Sequence, residues 1–340
     1  MHIVGGLAHG CRDELPSWFG EPVSFASIRD KMSRRLDCQV FVIRESSSAM
    51  IRLFFLQLLF LSIPVSAEYP DAVVGPKQGS LVIVGGGGPD RQFPHVFKKF
   101  VELAGGEKAH IVIVPTAASS DPNYNYQRSG AVSLAKYLGV AEVSVLHTHD
   151  RKEANTEKFV KPLSKATGVW FGGGRQWRFT KAYGGTRTEK EFHKVLERGG
   201  AIGGSSAGAT IQGSFLARGD TRGNTIMVGN VQRGFGFMRN TAIDQHLIAR
   251  GREKDLLKVL EDPKGRMRKQ FDRAEMLGIG IDEDVAIVVK GDQFEVIGKE
   301  KGVVLVYDPK SWKKETPDEK KWVTLINGQK YDLKVRKVLR

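Results

Sequence analysis

The sequence predicts an α/β protein: a mostly parallel sheet with helices on both faces, followed by an antiparallel C-terminal extension. Three observations predict it. From residue 81 onward, short apolar runs alternate with amphipathic stretches of helical length, the pattern of βαβ units around a sheet buried on both faces. Glycine-rich or small polar loops follow several of those runs, at the strand ends where such sheets collect their chemistry. After residue 276 the helical stretches stop, and LGIGIDEDVAIVV, QFEVIG, GVVLVYD and WVTLING read as successive short strands.

Taken in order, LVIV at 81–84 is the first strand, and it ends in Gly85, Gly86, Gly87 and Gly88. FPHVFKKFVEL then sets Phe93, Val96, Phe97, Phe100 and Val101 on one helical face. Residues 111–114 form the next strand, running into the polar loop PTAASSDPN. A helix over 131–138 leads to a strand over 143–146, and a helix over 157–165 leads to a strand over 168–171 with the loop GGGRQ behind it. A helix over 189–198 precedes the strand at 201–203, which enters the turn at Ser205 and Ser206. The late strands, separated by Gly, Asp and Asn turns, predict an antiparallel extension of the sheet edge.

The chain has 340 residues, 41% hydrophobic and 26% charged, enough for a sizeable core without cross-links. From Met50, MIRLFFLQLLFLSIPVSAEYP places a basic residue, an apolar run over 53–63 and the small-residue box Val65-Ser66-Ala67 in the order of a secretory signal peptide over 50–67. That run is too short to span a bilayer, which takes about 20 residues. Residues 1–49 lack apolar periodicity and are expected to be an upstream extension of the reading frame, with Met50 the start. Both cysteines, Cys11 and Cys38, fall in it, so the expected mature chain from Glu68 has no thiol chemistry or disulfide. The expected division is an α/β catalytic domain over 68–298 with a β extension over 299–340 packed on it. The product is expected to be secreted or periplasmic. The net charge of +14 comes from scattered Lys and Arg with little aromatic interleaving, a pattern of solvated faces rather than of nucleic-acid binding.

Gly204-Ser205-Ser206-Ala207-Gly208 fits G-x-S-x-G, in which small neighbours let strand and helix approach while the central hydroxyl stays accessible. A serine nucleophile needs a base. Of the eight histidines only His246 lies downstream of Ser206. The chain order serine, acid, histidine would leave only Asp220 or Asp244 as the acid. The order serine, histidine, acid is easier, with Asp282, Glu283 and Asp284 at a strand end. His147 and His149 are expected to be an exposed loop pair rather than metal ligands. Nothing in the sequence calls for a metal or an organic cofactor.

FGGGRQ, GGSSAGAT, DQHLIARGR and LGIGIDEDVAIVV, in that order, are similar to the motif series of the cyanophycinase and dipeptidase E family of serine peptidases, over residues 81–289. The resemblance implies a flavodoxin-like sandwich related to class I glutamine amidotransferases, with serine in place of their cysteine. It implies Ser206 as nucleophile, His246 as base, Glu283 as the acid that orients the imidazole, and an oxyanion hole from the N–H groups of Gly173 and Ala207. Gln176, Asp244, Gln245, Arg250 and Arg252 match the family's substrate-binding pattern. Two positions depart from it: Arg175 precedes Gln176 where cyanophycinases have aspartate, and Asp255 stands where they have a third arginine. The expected function is a secreted serine peptidase for aspartyl or isoaspartyl peptides, with cyanophycin among the candidate substrates. Arg250 and Arg252 would meet the substrate carboxylate, and Asp255 is the candidate partner for a substrate arginine. The alternative is a non-catalytic or differently specific member of the fold that binds an anionic ligand at the cell envelope.

Overall fold

In the computed structural model, which describes residues 68–87 and 93–340, the early apolar runs form the centre of a nine-stranded sheet. The predicted upstream extension, the leader and Gly88 lie outside the described residues. Five parallel strands lie side by side: β1 (Ser80–Val84), β5 (Ala201–Ser205), β4 (Gly168–Phe171), β2 (His110–Val114) and β3 (Glu142–Val145). Leu81 and Ile83 enter one core while Val82 and Val84 enter the other. A strand covered on both faces needs apolar residues at every position, which is why these runs do not alternate.

Helices α1 (Phe93–Leu103) and α2 (Gly130–Tyr137) cover one face. Phe97 and Phe100 meet Trp170 of β4 edge-on, with ring centroids 4.7 and 5.0 Å apart. Each of these buried phenylalanines contributes about 2–3 kcal/mol of transfer free energy. Helices α4 (Trp177–Tyr183) and α5 (Arg187–Glu197) cover the other face, where Phe179 and Phe192 pack on Phe171 at 5.3 and 4.9 Å. The predicted helix over 157–165 is α-helical only in α3 (Glu157–Val160), and Lys161–Ser164 tightens into a 3₁₀ turn. Pro162 lacks the N–H that would continue the α-helical ladder.

The late strands differ from the expectation of a single edge extension. Strands β9 (Val285–Lys290), β10 (Gln293–Gly298), β13 (Lys330–Asp332) and β14 (Lys337–Leu339) do extend the large sheet, antiparallel, beyond β1. Strands β8 (Leu277–Ile281), β11 (Val303–Tyr307) and β12 (Val323–Ile326) instead join β6 (Gly213–Phe215) and β7 (Met238–Gln245) in a second, five-stranded sheet. Residues 299–340 therefore serve both sheets. The cause lies in the LGIGI and VAIVV runs, which are buried along their whole apolar length. An exposed sheet edge would leave such strands half-covered, whereas two packed sheets cover both. Ile243, Ile279 and Val304 of the second sheet share a core with Leu81, Ile83 and Ile287 of the first. Among the described residues no helix is long and apolar enough to cross a membrane.

Candidate active site

Turns from both sheets converge beside the end of β1. Strand β5 ends at Ser205, and Ser206 turns the chain with φ 58° and ψ −114° into the single-turn α6 (Ala207–Thr210). This left-handed backbone is strained for a residue with a Cβ and persists only where its surroundings hold it. Here the N–H of Ser206 donates to the carbonyl of Val84 at 3.1 Å. A Cβ on Gly204 would collide with the backbone of Gly208, so the small residues around Ser206 are a steric requirement of the turn. His246 directly follows β7 and also has positive φ, 54°. Glu283 lies in the short turn from β8 to β9, between the two sheets.

The glycines after β1 tie these turns together. The N–H of His246 donates to the carbonyl of Gly85 at 2.7 Å, and that of Asp284 to the carbonyl of Gly86 at 3.0 Å. A methyl group on Gly86 would enter the imidazole of His246. Gly86 thus forms one wall of the slot that holds the ring.

Within that frame, Nε2 of His246 lies 2.9 Å from Oγ of Ser206, and Nδ1 lies 2.5 Å from Oε1 of Glu283. Of the three acids open from the sequence, Glu283 is the one hydrogen-bonded to the imidazole. Asp282 accepts from the N–H of Ile248 at 3.2 Å and pairs with Lys299 at 2.9 Å, while Asp284 is buried. Burial pushes the pKa of His246 below its ordinary value; the hydrogen bond to Glu283 opposes this, and the charges of Arg250 and Arg252 reinforce it. A methyl placed on Gly173 would stand 3.9 Å from Oγ of Ser206, so this exposed glycine of the loop after β4 borders the hydroxyl. Ala207 follows the serine directly as the first residue of α6.

The other predicted residues take up different positions. Arg250 is exposed. Arg252 is mostly buried and donates to the backbone carbonyl and side-chain oxygen of Gln245 at 2.9 and 3.1 Å. Burial, with Arg218 and Arg250, pulls its pKa to about 10, so it remains a cation at neutral pH. Gln176 is fully buried, and its amide donates to the carbonyl of Ala217 at 2.8 Å. Asp244 is also fully buried, with its oxygens on Arg218 at 2.7 and 2.9 Å. Asp255, the candidate partner for a substrate arginine, instead pairs with Arg218 and with Lys258. Arg175 donates to the carbonyl of Asp220 at 2.8 Å.

The HTH pair divides. His149 is exposed, as expected, but His147 is half-buried, stacked on Tyr126 with ring centroids 3.4 Å apart and hydrogen-bonded to Thr116 at 3.0 Å. Burial pushes its pKa down to about 4. Gly86 and Arg218 escaped the sequence reading. Gly86 sits in a run of four glycines that hides which one meets the imidazole. Arg218 lies in FLARGD, where no periodicity or motif marks it.

The model of peptidase family S51 matches residues 81–297. The cyanophycinase of Geminocystis herdmanii (strain PCC 6308) is 30% identical over 236 residues, covering 68% of this chain and 81% of that protein. The cyanophycinase of Synechococcus elongatus is 27% identical over 239 residues, covering 68% and 69%. Among solved structures, a peptidase from an acI-B1 Actinobacterium superposes with a TM-score of 0.53 at 24% identity, over 75% of this chain and 96% of that one. At that identity the likeness carries the α/β fold alone.

Proposed function

The chain belongs to peptidase family S51 and is a serine-type peptidase, and we propose that it hydrolyses aspartyl or isoaspartyl peptide bonds with Ser206, His246 and Glu283 as its catalytic triad. One observation carries the triad: a single imidazole is hydrogen-bonded to a strained serine through one nitrogen and to a carboxylate through the other. Glu283 fixes the ring so that Nδ1 carries the proton and Nε2 is free to accept one. Ser206 attacks the scissile carbonyl while Nε2 takes its proton. The N–H groups of Gly173 and Ala207 stabilise the resulting oxyanion. The imidazolium then protonates the leaving amine, and water activated by the same nitrogen hydrolyses the acyl-enzyme.

Charge supports the proposed substrate class. Arg250 and Arg252 lie close enough to His246 to depress its pKa, whereas Asp220, Asp244 and Asp255 are each paired with an arginine. The cations beside the imidazole favour a substrate carboxylate, which a guanidinium binds with geometric control. Cyanophycin, the substrate named by the relatives, is one candidate. Its arginine side chains would find Asp255 already engaged and Arg175 beside the oxyanion loop, so simple aspartyl peptides are favoured. We further propose that residues 50–67 direct export.

The test is a hydrolysis screen over aspartyl, isoaspartyl and neutral dipeptides, with fluorophosphonate labelling as an independent readout. Labelling and acidic-substrate hydrolysis should both vanish in Ser206→Ala. A wild-type chain that takes no label and cleaves nothing would leave the ligand-binding alternative standing.

A further inference from the structure

We propose that Arg218 is a positioning residue for His246: its buried guanidinium ties together the two ends of the turn that carries the imidazole. The proposal rests on Ser206 and His246 acting as nucleophile and base. Arg218 comes from a segment remote in sequence, has a positive φ of 57°, and is only 1% exposed. Its Nε and Nη2 donate to the two oxygens of Asp244 at 2.7 and 2.9 Å, Nη2 also donates to Asp255, and Nη1 donates to the carbonyl of Asn224 at 2.9 Å. Asp244 lies just before His246 in the chain, and Asp255 closes the turn beyond it.

Between those two acids the backbone is hydrogen-bonded step by step. The N–H of Arg250 donates to the carbonyl of His246, that of Arg252 to Leu247, and that of Asp255 to Arg252. Arg218 joins the end of this series back to its beginning. A planar guanidinium that engages two carboxylates fixes their mutual orientation as well as their charge. His246 needs such a hold because its own backbone sits in the left-handed region. The same short segment reaches the opposite side of the site, since Ala217 and Asp220 accept hydrogen bonds from Gln176 and Arg175 of the loop after β4. One segment therefore braces both the imidazole turn and the loop that holds Gly173.

This arrangement also accounts for Asp255. The resemblance implies an arginine at this position; this chain has an acid there and brings the guanidinium in from position 218. The exchange supplies the test. Arg218→Met, Asp255→Arg and the double variant are compared in the full chain. The readouts are the rate of Ser206 labelling by a fluorophosphonate, kcat and KM on the best dipeptide, and folding by circular dichroism.

Removing the guanidinium displaces the imidazole, so Arg218→Met should lose about a hundredfold in labelling rate and kcat, with KM little changed. Asp255→Arg, which sets two guanidiniums against the carboxylate of Asp244, should lose as much. The double variant returns one guanidinium to Asp244 and should recover to within about tenfold of the wild type, the non-additivity expected of residues in one network. Should Arg218→Met fail to fold, the double variant decides alone. A folded Arg218→Met chain labelled at the wild-type rate would overturn the proposal. So would a double variant that fails to fold or reacts no faster than the single variants. A wild-type chain that takes no label would instead overturn the assignment of the nucleophile, and this proposal with it.

Discussion

His246 is under two opposing pressures. Burial and the charges of Arg250 and Arg252 disfavour its protonated form, while the hydrogen bond to Glu283 favours it, and the net shift is downward. As the proposed general base, His246 must be neutral to accept a proton, so activity should be present above the folded-state pKa and lost as pH falls through it. Because that value lies below the ordinary imidazole value of about 6.5, the acidic limb of kcat/KM should lie on the acid side of that point. Arg250→Gln removes one of the depressing charges and should move the limb upward. A pH profile checks this, and a limb that stays in place or moves down contradicts it. Gly86 acts on the same ring by shape. In Gly86→Ala the methyl would occupy the imidazole's place, at a φ of 136° that an L side chain rarely adopts. Displacing a catalytic group on the scale of an ångström can cost about a hundredfold, so kcat should fall by about that factor. Wild-type kcat in Gly86→Ala would show that the ring has room to move.

At the scale of elements, the site depends on how strand ends are tied rather than on any one helix. α6 is a single turn, and its role is to carry the chain away from Ser206 in a strained conformation. The opening segment of the described chain is held to the fold in a comparable way. Asp292, in the turn from β9 to β10, accepts from the N–H groups of Val73, Val74 and Gly75 at 2.8, 2.7 and 3.0 Å. Arg239 of β7 donates to the carbonyls of Ala72, Val73 and Gly75. One acid and one base thus pin the segment before β1, one from each sheet. Hydrogen bonds to a charged group contribute about 1.5–3 kcal/mol each, less where water reaches them. Asp292 is partly exposed, so Asp292→Ala should destabilise the chain by about 2 kcal/mol, read from the urea midpoint. A change below about 0.5 kcal/mol, the range of an ordinary surface substitution, would show that the pinned segment does not bear on stability.

For the whole molecule, the proposed export signal over residues 50–67 makes a prediction about the mature chain. Glu68, its expected first residue, already takes part in the structure: its carboxylate accepts from the side-chain amide of Gln78 at 2.8 Å, and the two residues form a β-bridge. Cleavage after Ala67 should release a chain that starts at Glu68 and keeps every contact described above. Mass spectrometry of the protein recovered from the medium or the periplasm checks this. Recovery of a chain that still carries residues 1–49 would contradict both the expected start and the expected cleavage.

The α/β class, the parallel order of burial along β1, β2, β4 and β5, and the identity of Ser206 and His246 as partners were legible in the sequence. The fold class rests on local physics, continuous apolar runs and helical periodicity; small residues around a turn and a single downstream histidine marked Ser206 and His246 as candidates, and the family resemblance joined them as a pair. From the residues alone the acid was legible only as three neighbours, because one residue of register decides which side chain faces the imidazole; the family resemblance singled out Glu283. The division of the late strands between two sheets, the glycine wall against His246 and the placement of Arg218 between Asp244 and Asp255 were decided by the tertiary structure. Those features join segments far apart in the chain through packing and buried charge, and no spacing within one segment encodes which distant group will arrive to satisfy it.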